Sequence, residues 1–500
     1  MQYKSTRNGK ISISSAQAIK QGLSVEGGLF VPESIPEVTP AEIASLANMN
    51  YRERAFVILS KFLTDFTKEE LENCIGNAYT KAKFETDNIA PVYKLNDKEY
   101  ILELWHGPTC AFKDMALQIL PHLLTTSMKK TNEESEVVIL VATSGDTGKA
   151  ALEGFRDVDG TRIIVFYPEN GVSEIQKLQM ITQEGNNVGV SAVSGNFDDA
   201  QNGVKKIFTD EEYKALLGGN SFKLSSANSI NWGRLVPQIV YYFSAYADML
   251  AGDEIANGDK INIVVPTGNF GNILAAYYAK KMGLPVNKFI CASNKNNVLT
   301  DFIKTGVYNK NRDFHTTISP SMDILISSNL ERLLFDLSDG NDEEIAKLMQ
   351  ALNSEGKYEV SDSIKAKISE LFEAGCADDD ETMKAIKACN EAYGYVIDTH
   401  TAVAKSVYDD YAKRTGDETK TVIASTASPF KFNQSVLIAL KGYEYVTGKD
   451  EFMLLDDLSD ISGLDIPASL GELKNKMKLF NSVCEKEQMP SVVSEFLNIN

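Results

Sequence analysis

The chain reads as an α/β protein with a two-lobed core of parallel and mixed sheet and a helical N-terminal cap. Three observations predict this. Strand and helix patterns alternate from residue 136 onward, buried β-branched runs recur at 261–266, 288–294 and 421–426, and two glycine-rich turns each carry a strand into a helix. Alternation of this kind implies parallel strands with helices on the sheet faces.

In chain order, residues 1–90 read as a separate cap. "PAEIASLANMNYRERAFVILSKFL" places apolar residues at helical spacing, and "VEGGLFVPESIP" is a Gly/Pro-punctuated loop. "VYKLNDKEYILELW" (92–105) predicts a hairpin turning at Asn96-Asp97. Residues 91–432 form the expected core. Its smaller lobe, about 136–215, contains "EVVILVA", "TRIIVFYP" followed by "SEIQKLQMI", and "NVGVSAVSG" followed by "FDDAQNGVKKIF". The acidic stretch from about 330 to 395 reads as a helical insertion with a solvated face, and 433–500 as a helical C-terminal extension.

Composition narrows the function. A chain of 500 residues needs more than one packed unit, and its 43% hydrophobic and 24% charged content is that of an ordinary soluble protein. No apolar run approaches a membrane span, and "MQYKSTRNGK" opens no signal peptide. Six scattered cysteines without a C-x-x-C pair, and four histidines, argue for reduced thiols in the cytoplasm and against a bound metal. A net charge of −19 disfavours nucleic acid and requires any anionic substrate to be held by local positive groups.

Two loops supply anion cradles. "VATSGDTGKAALEGF" (141–155) and "IVVPTGNFGNILAAYYAKK" (263–281) each expose backbone N–H groups at a helix start, with glycines allowing close approach. Neither is a P-loop or a dinucleotide fingerprint, because the glycine spacing is wrong in the first and the third glycine is missing in the second. Both lie at carboxyl ends of predicted strands, where open α/β sheets bind ligands. A third element is Lys113 in "HGPTCAFKDMALQ", a lysine placed where the chain turns inward. A sheltered lysine, a glycine-rich phosphate cup and a small hydroxyl residue at a later strand end are what pyridoxal phosphate needs.

The sequence resembles the threonine synthases, within the tryptophan-synthase-β-like, fold-type II group of pyridoxal phosphate enzymes. The resemblance rests on "YKSTRNGKISISSAQAIKQGLSVEGGLFVPESIP", "HGPTCAFKDMALQ", "ATSGDTGKAA", "ANSINWGRLVPQ", "PTGNFGNI" and "STASPFKF", in that order along nearly the whole chain. It implies that Lys113 is the Schiff-base lysine, that Gly268, Asn269, Phe270, Gly271 and Asn272 surround the cofactor phosphate, and that Thr426 sits at the pyridine nitrogen. It further implies a lyase converting O-phospho-L-homoserine and water to L-threonine and phosphate, the last step of threonine biosynthesis. A monomer is the expected assembly.

For that reaction the leaving phosphate must be gripped inside an acidic protein. Arg234, with Asn228 and Ser229 shortly before it, is the candidate, since a guanidinium fork matches phosphate geometry. Ser144, Asp146 and Thr147 lie on the other cradle, where the substrate's anionic groups or the cofactor's ring hydroxyl are expected. Asp146 is awkward there, because a carboxylate repels anions, and its role stays open. His106 reads first as a turn-capping residue and second as an acid–base group, Cys110 first as a buried packing thiol and second as a nucleophile, and Arg7 either reaches the site or pins the cap to the core. The competing activities are an O-phosphohomoserine phospholyase and a serine or threonine dehydratase of the same fold.

Overall fold

A computed structural model describes residues 1–143, 145–169 and 172–499. The chain opens with β1 (Gln2–Ser5), β2 (Asn8–Ser14) and β3 (Phe30–Pro32), an antiparallel sheet in the order β2-β1-β3. Three helices follow, Pro40–Leu46, Tyr51–Phe62 and Lys68–Ala78. Each starts on a capping box, built by Thr39 with Glu42, Asn50 with Glu53 and Thr67 with Glu70. Two otherwise orphaned N–H groups are thereby satisfied at each start. The cap thus contains a small sheet as well as helices. Arg7 settles on one of its two expected roles: it forms a two-pronged ion pair with Glu331 (2.8 and 2.6 Å) and pins the cap to the core.

Next come β4 (Val92–Lys94) and β5 (Glu99–Glu103), an antiparallel hairpin. Its turn is held by Asn96, whose Oδ1 accepts the N–H groups of Lys98 and Glu99 at 2.9 and 3.0 Å. Then β6 (Glu136–Ala142), β7 (Thr161–Pro168), β8 (Val188–Val193) and β9 (Phe222–Ser225) lay out the smaller lobe. The larger lobe is built from β10 (Ile261–Pro266) and β11 (Val286–Ser293) and, after a short ribbon of β12 (Val307–Asn309) and β13 (Lys357–Glu359), from β14 (Phe372–Cys376) and β15 (Thr421–Ser425). The large sheet runs β14-β11-β10-β15-β5-β4, and only β4 is antiparallel.

Two further features differ from the sequence reading. The acidic stretch read as a helical insertion contains β14, an edge strand paired parallel to β11. Its "FEAGC" is too short to show a strand period. Likewise the stretch read as a helical extension contains β16 (Val483–Cys484), which adds to β8 and closes the small sheet as β16-β8-β7-β6-β9. The helix Met489–Leu497 then packs Met489, Val493 and Leu497 against Val138, Leu140 and Ile164 of the small lobe.

The large lobe's centre is continuous apolar packing. Every residue of β10 is buried, as expected for a parallel strand covered on both faces. The helix Trp232–Ala251 is buried nearly all round, with Tyr241, Tyr242 and Tyr246 fully enclosed. Among the described residues no helix is long and apolar enough to cross a membrane. The carboxyl ends of β5, β6, β10 and β15 lead into the segments holding Lys113, Asp146, Gly268 and Thr426.

Candidate active site

Lys113 lies on a loop that the sequence forces to fold tightly before the short helix Asp114–Leu117. A Cβ on Gly107 would sit 2.5 Å from the Cβ of Asp114, so only glycine fits. Cys110 takes a left-handed φ of 58°. The Asp114 carboxylate accepts the N–H and the hydroxyl of Thr109, both at 2.8 Å, and ties the loop back on itself. Burial pushes the Asp114 carboxyl up to about 6. The end of β15 is sewn to this loop. Phe112 N–H donates to Thr426 O (2.8 Å), Ser428 N–H to Cys110 O (3.0 Å), and Trp105 Nε1–H to Ser425 Oγ (3.1 Å). Thr426 and Lys113 are thereby brought together, both buried.

The Lys113 Nζ sits 3.2 Å from Asp146 Oδ2 and 3.0 Å from Ser321 Oγ. Burial holds its ammonium below the usual lysine range, while Asp146 opposes that shift and the charges of Lys431 and Arg234 add to it. Asp146 opens the helix Asp146–Phe155 and is held from four sides. Lys431 reaches Oδ1 at 2.9 Å, Gln176 Nε2 donates to Oδ1 at 2.9 Å, and Ser321 Oγ donates to Oδ2 at 2.9 Å, beside Lys113. Burial alone would raise its pKa, but the two ammonium groups hold the carboxyl well below the ordinary range. The awkwardness of a carboxylate among anion-binding groups is therefore answered by Lys431. That lysine is fully buried and also donates to Thr109 O at 2.8 Å.

Glycine is required on both sides of Asp146. Gly145 has φ 139°, and a Cβ there would fall 2.5 Å from the Gln176 side chain. A Cβ on Gly148 would fall 2.4 Å from Thr143, whose Oγ1 accepts the N–H of both Gly145 and Gly148. Thr147 is half-buried in the first helical turn. Ser144, predicted with it, lies outside the described residues.

The loop after β10 forms the second cradle. A Cβ on Gly268 would lie 2.7 Å from the carbonyl oxygen of Ser321. Asn269 O accepts both the N–H and the Nδ2–H of Asn329 at 3.0 Å. Phe270 takes φ 63°, and its ring packs toward Phe372, leaving its backbone to the loop. Asn272, in the first turn of the helix Gly271–Lys281, accepts the hydroxyls of Tyr241 (2.8 Å) and Tyr242 with its Oδ1. Its Nδ2 is buried with no partner among the described residues. An orphaned buried donor at a helix start, on the loop where Gly268 leaves no room for a side chain, fits a cofactor phosphate. Together with buried Lys113 and Thr426 it fits pyridoxal phosphate.

Arg234 stands in the first turn of the helix Trp232–Ala251 and is only 4% exposed. Its Nη1 donates to Ala227 O, its Nε has no partner, and no carboxylate pairs with it among the described residues. Burial lowers its pKa to about 10. Asn228 is exposed, while Ser229 Oγ lies 3.5 Å from Ser328 Oγ, which reaches Asn269 Oδ1 at 3.4 Å. Arg234 O accepts from Gln238, which with Tyr241 connects it to Asn272.

His106 pairs with Glu103 through Nε2 at 2.7 Å and stacks on Trp105, away from Lys113's partners. Cys110 is a buried thiol pushed up to about 12 by burial. The sequence reading did not assign a role to Lys431, Gln176, Ser321 or His400. Lys431 lay within a quoted motif, but Ser321 has no local signal at all.

Comparison with known proteins shows which family the chain resembles. The family pattern described as "Threonine synthase N terminus" matches residues 2–79, and that described as "Pyridoxal-phosphate dependent enzyme" matches 85–363. The chain is 40% identical to threonine synthase of Pseudomonas aeruginosa, over 87% of this chain and 90% of that one. It is 40% identical to human threonine synthase-like 1 over 94% of its length, but spans only 64% of that protein. The crystal structure of pyridoxal-phosphate-bound threonine synthase from Brucella melitensis superposes with a TM-score of 0.87 at 35% identity, covering 99% of this chain and 98% of that one.

Proposed function

The chain belongs to the threonine synthase family of pyridoxal-phosphate-dependent enzymes, and from that premise we propose that it converts O-phospho-L-homoserine and water to L-threonine and inorganic phosphate. The observation that carries this reading is Arg234, a buried guanidinium without an acidic partner among the described residues of a protein of net charge −19. A buried unpaired cation needs an anion, and its planar fork suits phosphate.

The cofactor would be held at its aldehyde by Lys113, at its phosphate by Gly268, Asn269, Phe270, Gly271 and Asn272, and at its ring nitrogen by Thr426. When bound, pyridoxal phosphate supplies a sink for negative charge developing on the substrate's Cα. Lys113 does the proton work there. Burial favours its neutral amine, which takes the Cα proton and returns one after water has added at Cβ. A Cβ proton is lost as the Cγ–O bond breaks with its electron pair on the phosphate, and Cγ gains a proton to become the methyl group before water adds at Cβ. Arg234, with Asn228 and Ser229, holds the departing phosphate, where a fixed positive charge stabilises the leaving dianion. Thr147, at the start of the helix Asp146–Phe155, orients the substrate carboxylate, and Ser144, its near neighbour in sequence, is assigned the same task. Asp146, neutralised by Lys431, keeps the Lys113 amine in place.

The test is a product balance. Purified protein loaded with cofactor and given O-phospho-L-homoserine should release threonine and phosphate in equal amounts, with little keto acid. Stoichiometric 2-ketobutyrate would establish a phospholyase instead. Equal turnover of unphosphorylated serine or threonine would establish a dehydratase.

A further inference from the structure

Ser321 lies in a short 3-10 turn, Pro320–Met322, far from every motif that marks the site, yet it touches both Lys113 and Asp146. Its hydroxyl has one proton. That proton goes to Asp146 Oδ2, a carboxylate oxygen that can only accept, so the contact with Lys113 Nζ has the lysine donating. The backbone of Ser321 is fixed in turn. Its N–H donates to His400 Nε2 at 3.2 Å, and His400 Nδ1 lies 3.1 Å from Asp398 Oδ1. A backbone N–H cannot accept, so Nε2 carries the lone pair and Nδ1 the proton, which is the neutral tautomer. Asp398 is wholly buried and also caps the helix Thr399–Thr415 by accepting the N–H groups of His400 and Thr401. Three residues thus set where one hydroxyl points.

We propose that Ser321, oriented by the His400–Asp398 pair, is a positioning residue for the Lys113 amine. A neutral amine has two N–H donors and one lone pair. Asp146 Oδ2 and Ser321 Oγ take the two donors, so the lone pair is the valence left for bonding to carbon or taking a proton. The charged groups facing the amine are Asp146 from the small lobe, Lys431 following β15 and Arg234 from the helix Trp232–Ala251. Ser321 is the neutral member of that shell, and it fixes direction without adding charge.

This rests on Lys113 being the cofactor lysine, and the test separates the two ideas. Apoprotein is mixed with pyridoxal phosphate at pH 8, and covalent attachment is followed by borohydride quenching and peptide mapping. Cofactor affinity is measured alongside with pyridoxamine phosphate, which has no aldehyde. Ser321→Ala should slow attachment at Lys113 about tenfold, the worth of one hydrogen bond, with pyridoxamine phosphate affinity within about twofold of wild type. Ser321→Thr, which keeps the hydroxyl, should restore most of the rate. His400→Leu should slow attachment in the same direction. Attachment at the wild-type rate in Ser321→Ala, or equal loss in Ser321→Ala and Ser321→Thr, would overturn the proposal. Fixation on a lysine other than Lys113 in the wild-type protein would instead overturn the reading it rests on.

Discussion

Asp146 and Lys431 form an ion pair of 2.9 Å in which the lysine side chain is wholly shielded from solvent and the carboxylate is 4% exposed. One partner comes from the small lobe and the other from the segment after β15 in the large lobe. The pair therefore fastens the two lobes at the point where Lys113 stands between them.

Breaking that fastening should cost stability. Lys431→Met leaves Asp146 with Lys113, Ser321 and Gln176, so the loss should be about 3 kcal/mol, at the low end for a buried pair deprived of one member. The pH dependence has a definite sign. Asp146 has a depressed pKa in the folded protein, so its contribution is complete above its unfolded value of about 3.9 and is lost as pH falls through the folded value. Urea unfolding between pH 3 and 7 should show a weaker acid-limb decline in Lys431→Met than in wild type. An unchanged decline would mean that Asp146 is not held down by Lys431.

Lys113→Ala should abolish borohydride-fixable cofactor and cut turnover roughly 100- to 10,000-fold, the range for loss of a proton-transfer group. Noncovalent cofactor binding should persist through the 268–272 loop, so an equilibrium titration should still saturate. Retained covalent fixation in this variant would disqualify Lys113.

Arg234→Gln should leave the cofactor attached and depress kcat/KM for the phosphorylated substrate by roughly 30- to 5,000-fold, corresponding to about 2–5 kcal/mol for removing one partner of a buried charge pair. Arg234→Lys should recover only part, because an ammonium lacks the bidentate fork. If kcat/KM is unchanged while the melting temperature falls, Arg234 only supports the fold.

Two glycines of the same cradle should respond differently to alanine. A Cβ at Gly268 meets the backbone oxygen of Ser321 at 2.7 Å, whereas one at Gly271 meets nothing nearer than the Asn329 amide at 3.5 Å. Overpacking of the first kind costs about 1–3 kcal/mol. Gly268→Ala should therefore weaken cofactor binding about tenfold or more and Gly271→Ala much less, as read by fluorescence titration. The reverse order would show that the Gly268–Ser321 approach does not shape the cradle.

Much of this was legible in the sequence because it is local. Strand–helix alternation marks parallel sheet wherever the strands are buried on both faces, and glycine turns mark the points where the backbone must come close. The Asn96–Asp97 turn, the two cradles and the inward lysine all depend on neighbours within a few residues. What was not legible depends on approach through space. β14 and β16 are too short to carry a period. Ser321 and Lys431 meet Asp146 across 175 and 285 residues of chain, and no spacing rule spans such distances. The role of Asp146 could not be read for the same reason, since the cation that makes it tolerable lies in another lobe.

The small sheet is finished by a strand that arrives late. Ser191, on β8, bonds to Ser482, 291 residues further on, and Met489 packs so closely on Gly203 that a Cβ there would have no room. A chain emerging from the ribosome therefore carries β8 with an open edge while more than half of the protein is still being made. The lobe that brings Asp146 to Lys113 closes only after residues 482–497 have emerged. The contacts that complete the small lobe are thus among the long-range ones, which carry the larger loop-closure cost.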